Sequence, residues 1–373
     1  MLQRPRARIY SDLLDRFFKE LVLLGTMRVS WLSGRVLGKD LCGTTQSSLA
    51  DGLVGLGHEV FVYSPGHSYS EKFQHIPLQK GKIKGLLWWG NIQSLRTHLG
   101  AINASDHVLV DWRLHSITPL ITTNWTLIDR GPPADRGMLS IFQWKQWSRG
   151  WKKANSGTAV SEKHADFIHL RTGMPLNRIT VLQAGADMAK FTPGLKGGPL
   201  KIAYQGRIDF HRGVLLLPQI LNGLQKRGVE ASLHIHGEGD AVHTIKQMDV
   251  DNLHLTSALD SNKLAACQSA YDVGILPMPK SKVWELASPL KRSEYLASGM
   301  IICGIDHMGH QLPKSGEWLQ LYPEEKFVEM CCEWLAGLNR QDLQPLQKSA
   351  RTYAETHLNW DYTARILADS ISE

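Results

Sequence analysis

The chain has 373 residues and a formal net charge of +7, with hydrophobic residues at 43% and charged residues at 21%. At roughly 150 residues per domain this suggests two domains, and the apolar-to-charged balance excludes disorder, collagen-like repeats and a disulfide-dense small scaffold. No run nears the ~18 apolar residues of a membrane span, while the basic excess and 12 tryptophans suit an anionic partner: a phosphate, a nucleic acid or a lipid surface.

Residues 1–26 form an extension before the first strand. Leu13, Leu14, Phe17, Phe18, Leu21 and Leu24 recur at helical spacing among Arg4, Arg6, Arg8, Arg16 and Lys19. That is a basic amphipathic helix, which either lies in a membrane interface or packs on its own domain. The apolar core and small-residue cleavage site of a secretory leader are missing. The five cysteines, Cys42, Cys267, Cys303, Cys331 and Cys332, form no C-x-x-C pair and read as reduced thiols, so a cytoplasmic location is expected.

From Met27 onward strands and helices alternate. Val29–Leu32 is a strand, a loop with Gly34, Gly38 and Gly43 follows, and a helix carries Leu49, Leu53 and Leu56 to a stop at Gly57. Glu59–Tyr63 completes a strand–helix–strand unit and implies a parallel sheet. Further strands are expected at His107–Asp111, Trp125–Ile128, Gly157–Val160 and Ile179–Leu182. The proline- and glycine-rich stretch Phe191–Pro199 reads as a linker. Beyond it come strands at Leu200–Tyr204, Ala231–His236, Leu253–Leu255, Asp272–Leu276 and Met300–Gly304, and a helix at Val214–Leu224. The reading is α/β: two Rossmann-like doubly wound domains facing a cleft, with ligands outside the carboxyl ends of the strands.

Three segments of the second half carry chemistry. After the strand ending at Gln205, Gly206 turns the chain, and Arg207 and Arg212 stand five apart before Gly213. Two guanidiniums there can clamp a phosphate pair, or simply be solvated. In Ser288-Pro289-Leu290-Lys291, serine suits a helix cap and proline the first helical position, so the helix N-terminus and Lys291 together offer an anion site, or simply form a capped helix with a surface Lys–Glu pair. Glu294, three residues on, shares the face of Lys291 and can accept hydroxyl hydrogen bonds from a sugar. Gly237 and Gly239, after a strand, suggest close approach of a ligand to backbone. A complete dinucleotide fingerprint is not present, and no Asp-x-Asp metal clamp stands at a strand end.

These residues resemble the donor-binding half of family 4 glycosyltransferases, which have the GT-B fold. The G-R-x-x-x-x-K-G element is matched by Gly206-Arg207 through Arg212-Gly213, with arginine for lysine. The S-P-x-K-x-x-E-Y-x-x-x-G element is intact as Ser288-Pro289, Lys291, Glu294-Tyr295 and Gly299. Val181 through Asp187, Phe191 and Pro193 match the inter-domain signature, Leu49-Ala50 to Val60 the amino-terminal pattern, and Leu358-Asn-Trp-Asp the element before the last helix. The resemblance implies a division into the extension 1–26, an acceptor-binding domain at 27–195, a nucleotide-sugar-binding domain at 196–352, and a segment 353–373 whose helix returns to the first domain.

It further implies that Arg207, Arg212 and Lys291 bind a nucleotide diphosphate, that Glu294 holds the ribose, and that Gly43 lies near the donor phosphates. The expected reaction is metal-independent, retaining hexosyl transfer from a UDP- or GDP-sugar to an acceptor hydroxyl. No cofactor beyond that co-substrate is expected. The first of the family's paired glutamates falls at Leu286, with Glu285 one residue off, and its first-domain histidine has no counterpart. Asp111 and Asp129, each at a strand end, are the candidates for acceptor positioning or proton removal; either can equally be a turn residue.

Trp144, Trp147 and Trp151 share one helical face among Lys145, Arg149, Lys152 and Lys153. The face either packs under the first sheet or meets a membrane, with a lipid-linked or cell-surface glycan as acceptor. Nucleic acid is not expected as a partner. His307 and His310 lack a third metal ligand nearby and read as loop residues. A sugar-nucleotide epimerase on the same fold and a non-catalytic glycosyltransferase-like subunit are the competing readings.

Overall fold

The β-branched runs assemble into two separate all-parallel sheets in a computed structural model that describes residues 25–37, 43–68, 70–79, 87–133 and 138–372. Residues 1–24 of the extension, Cys42 and Gly38 lie outside the described residues. The first sheet takes β1 (Arg28–Leu32), β2 (Glu59–Ser64), β3 (Gln74–Pro77), β4 (His107–Asp111), β5 (Asn124–Ile128), β6 (Gly157–Ala159) and β7 (Ile179–Val181) in the order β3-β2-β1-β4-β5-β6-β7. The second takes β8 (Leu200–Gln205), β9 (Ala231–His236), β10 (Leu253–Thr256), β11 (Val273–Leu276), β12 (Ile301–Ile305) and β13 (Leu319–Tyr322) in the order β10-β9-β8-β11-β12-β13.

Strands covered by helices on both faces must be apolar throughout. β4, β11 and β12 are accordingly buried at every position. Each sheet reverses its winding beside its first strand, between β1 and β4 and between β8 and β11. The carboxyl ends at these switch points form a crevice in each unit. β3 and β13 have no counterpart among the expected strands. β3 reads Gln-His-Ile-Pro with no buried position, and an edge strand of that kind has no apolar run to give it away.

The chain divides into two compact units. The first holds residues 1–159, 168–182 and 363–373, and the second 160–167 and 183–362. The boundary therefore lies at Leu182/Gln183 rather than near 195. The linker stretch is fixed to the second unit: Phe191 is buried in that core, Arg351 donates to the Phe191 and Met188 carbonyls, and the Gly194 amide bonds the Ser269 carbonyl. The last boundary likewise falls at Tyr362/Thr363, not 353. Residue 353 sits inside the helix Arg340–His357, whose Ala350 and Ala354 are buried in the second core.

Candidate functional site

The second crevice is built on a loop held between two strand ends. Gly206-Arg207-Ile208 leaves β8 and lies against the loop that leaves β9: Gly206 and Ile208 amides bond the His236 and Glu238 carbonyls, at 2.9 and 2.8 Å. A Cβ on Gly237 would sit 1.8 Å from the Gly206 oxygen, so only glycine allows this approach. Across the switch point, a Cβ on Gly213 would lie 2.1 Å from the Pro277 carbonyl at the end of β11, and Gly213 has φ +70°. The loop is thus clamped to both sides of the crevice by backbone contact.

Three cations converge on this loop with one carboxylate between them. Asp209 accepts from Arg207 Nη2 and Nε at 2.9 and 3.2 Å and stands 3.5 Å from Arg212 Nε. Burial pushes the Asp209 carboxyl up, but the Arg207 hydrogen bonds and charge outweigh it and hold it below its usual range. Arg212 stacks over Trp284 at 4.7 Å. Lys291 Nζ is shielded from solvent without a hydrogen-bond partner. It sits 4.0 Å from the Tyr204 ring centroid and 3.2 Å from where a Gly206 Cβ would be. Burial pulls its pKa down to about 7, the Arg212 charge adds to this, and Glu294 opposes it. An unpaired ammonium beside a guanidinium is a site that gains from an incoming anion.

The helix Leu290–Ala297 presents Lys291 and Glu294. Pro289 occupies its cap position without a side-chain cap. Ser288 does not cap it, contrary to expectation: its hydroxyl accepts the Ala184 amide at 3.0 Å, tying the helix start to the segment after β7. Glu294 is buried and accepts from Gln205 Nε2. Burial pushes its pKa up to about 7 against the pull of Lys291 and of that bond. Behind it Gln268 donates to Gln205, and Ser298 donates to Gln268 at 3.0 Å. The Tyr295 hydroxyl takes the Gln205 amide at 3.1 Å. Neither Gln205 nor Gln268 stands out in the sequence; a polar residue ending an apolar strand just before Gly206 is the signal that marks the first.

Beside Gly237 a cavity of about 310 Å³ opens at the ends of β9 and β10, lined by Gly237, Glu238, Gly239, Val242, Lys246, Leu255, Thr256 and Ser257. The second unit thus brings together Gly206, Arg207, Arg212, Gly237 and the Ser288-to-Glu294 stretch, the residues the motifs single out. His307 and His310 lie buried after β12 with ring centroids 3.8 Å apart, bonded to the Met278 and Ile305 carbonyls.

In the first unit Gly43 begins the helix Gly43–Gly55. Asp111 ends β4 at the switch point, where Ser33 donates to it at 3.3 Å and Gln46 donates to Ser33 at 2.6 Å. Burial raises the Asp111 pKa, while Arg35 and Arg113 pull it back. Asp129 differs in kind. It is fully buried and accepts the indole N–H groups of Trp147 and Trp151 at 2.5 and 2.9 Å, and the Gly131 amide at 3.0 Å. These contacts use the carboxylate to seat the helix Met138–Lys153, which gives no support to an acceptor role. Asp129→Ala leaves two buried N–H donors unpaired and is expected to cost on the order of 3 kcal/mol, read by urea unfolding. Unchanged stability with lost turnover would return Asp129 to the chemistry.

Residues 43–190 match the family model described as Glycosyltransferase Family 4. No curated protein matches the chain by sequence. Among solved structures, a sucrose-phosphate synthase from Thermosynechococcus elongatus superposes with a TM-score of 0.73 at 14% identity, over 92% of this chain and 98% of that one. WaaG, a glycosyltransferase involved in lipopolysaccharide biosynthesis, gives 0.67 at 15% over 92% and 99%. Anabaena HepE, solved with UDP-glucose, gives 0.66 at 11% over 93% and 99%. The fold is GT-B, and the likeness to family 4 read from motifs of the second half is met by a family match in the first.

Proposed function

We propose, for a chain with the GT-B fold and a Glycosyltransferase Family 4 segment, that it transfers a sugar from a nucleoside diphosphate sugar to an acceptor hydroxyl. The observation that carries this reading is the unpartnered Lys291 ammonium grouped with Arg207 and Arg212 at the switch point of the second sheet. A diphosphate supplies the negative charge that Asp209 alone does not bring to the three. In this reading the nucleoside occupies the cavity beside Gly237, Glu294 takes the ribose hydroxyls, and Ser288, Pro289 and Leu290 set the start of the helix facing the phosphates. A structural neighbour solved with UDP-glucose supports UDP over GDP as the first donor to try.

Breaking the anomeric carbon–oxygen bond leaves its electron pair on the diphosphate, where fixed cations stabilise the developing charge. The acceptor oxygen bonds the anomeric carbon, and its proton passes to the departing phosphate oxygen. Attack on the face the diphosphate leaves retains the anomeric configuration, which NMR of the product reads directly. No step here uses a metal. Asp111, at the crevice of the first sheet, is the carboxylate proposed to position the acceptor, a lipid-linked or cell-surface glycan being the class to screen.

Calorimetric titration with UDP at pH 7.5 tests the site. With a free pKa of about 7, Lys291 is largely neutral at that pH, and a diphosphate raises its pKa. Binding then takes up at most about three quarters of a proton, and affinity falls as pH rises above 7, by up to tenfold per unit of pKa shift. Titration in two buffers of different ionisation enthalpy counts the proton. Arg207→Ala and Glu294→Ala should each cost about 2–4 kcal/mol in transfer with the fold kept. Wild-type turnover in both, or no affinity for UDP or GDP, sinks the reading.

A further inference from the structure

The tryptophan helix has a second face that the packing of its indoles leaves over. Trp147 and Trp151 are turned inward, at 1% and 0% exposure, as the packed reading of this helix expects. The opposite stripe carries Ile141, Phe142, Lys145, Arg149, Lys152 and Lys153, all exposed, with Ile141 at 73% and Phe142 at 45%. The whole helix Met138–Lys153 contains no acidic residue. Among the described residues, none of these four cations has a carboxylate within ion-pair distance.

Beside the stripe, a cavity of about 440 Å³ is lined by Arg149, Lys152, Lys153, His115, Ser116 and Gln146. It holds three cations and no acid. Burial keeps the His115 pKa low, and the charges of Lys153 and Arg149 depress it further, so the pocket is positive without an internal counterion. Cations in the last turn are favoured by the helix dipole, which accounts for Lys152 and Lys153. It does not account for Lys145 and Arg149, nor for two large apolar side chains in water.

We infer that this face docks on an anionic phospholipid surface, with Ile141 and Phe142 entering the interfacial region and the basic pocket receiving headgroup phosphates. A soluble polyanion would be met by the cations alone; the exposed isoleucine and phenylalanine favour a bilayer. The inference stands apart from the transfer reaction, because binding is measured with neither donor nor acceptor present.

The test is flotation of the full chain with vesicles of phosphatidylcholine alone, or equimolar with phosphatidylglycerol. The unaltered protein should float only with the anionic vesicles and be released by salt. Each of Arg149→Glu, Lys152→Glu and Lys153→Glu should weaken partition by about fivefold or more. The double change Ile141→Ser and Phe142→Ser should weaken it on the order of tenfold or more. All positions are exposed, so melting temperatures should stay unchanged and report an intact fold. Vesicle binding that survives these changes places the contact elsewhere. Capture by heparin without flotation, or loss with the glutamate variants alone, makes the partner a soluble polyanion. Either outcome overturns the inference.

Discussion

Lys291→Met is expected to remove most transfer activity while leaving the chain at least as stable as before. The two effects separate because burial disfavours the charged form of Lys291, whose nitrogen has no hydrogen-bond partner in the unliganded protein. Its nitrogen lies over the Tyr204 ring with no hydrogen bond, and Arg212 repels it. Methionine keeps the length of the stem and removes a desolvated, partly charged amine, a change that is neutral or stabilising in buried sites. With a donor bound, the same change deletes a cation from the position where charge develops as the leaving group departs. The loss of about 2–4 kcal/mol corresponds to roughly 30- to 900-fold in kcat/KM. Proton uptake on UDP binding should vanish with it. Steady-state rates and a thermal melt decide the matter: activity within a fewfold of the unaltered chain would show that the lysine does not meet the diphosphate, and a marked fall in Tm would make it structural.

Gly237→Ala should be as damaging by a different route. The added methyl would stand 1.8 Å from the Gly206 carbonyl oxygen and 3.2 Å from Ile208. Backbone on both sides is held, since Gly206 bonds the His236 carbonyl and Gly237 the Thr256 carbonyl. The loops must part by well over an ångström, at a cost of roughly 2–3 kcal/mol or more. The parting moves Arg207 and the edge of the neighbouring cavity together. Expected results are a Tm lowered by several degrees and a weakened UDP affinity. Full stability and full affinity in this variant would mean the two loops are not packed as described.

Legibility in the sequence followed distance along the chain. The parallel sheets were readable because buried strands are short apolar runs separated by polar or turn-forming residues, as Val273–Leu276 lies between Asp272 and Pro277. Arg207, Arg212, Lys291 and Glu294 stood out in the sequence because they hold fixed spacings within short segments. What escaped was decided by partners far away. Ser288 looks like a cap until its hydroxyl meets an amide 104 residues earlier. Asp129 and Asp111 look alike until Trp147 and Trp151, 18 and 22 residues on, close over one of them. Gln268 carries no pattern, and Gln205 only that of a polar residue closing an apolar strand; their meaning arises when Glu294 and Ser298 come to lie beside them. The tryptophan stripe was half readable. Helical spacing showed one face, and only burial shows that Trp147 and Trp151 look inward and Ile141 outward.

The helix Trp360–Ser372 has a consequence for how the chain is made. From Thr363 onward it belongs to the first unit, where Ala364, Leu367, Ala368 and Ile371 are buried. These residues leave the ribosome only after the whole second unit has been synthesised. During translation the first unit must therefore wait with an apolar groove uncovered, while the second can close as soon as Tyr362 is available. Domains generally fold in order of synthesis; here the order of completion is reversed, and the first unit to begin is the last to be sealed.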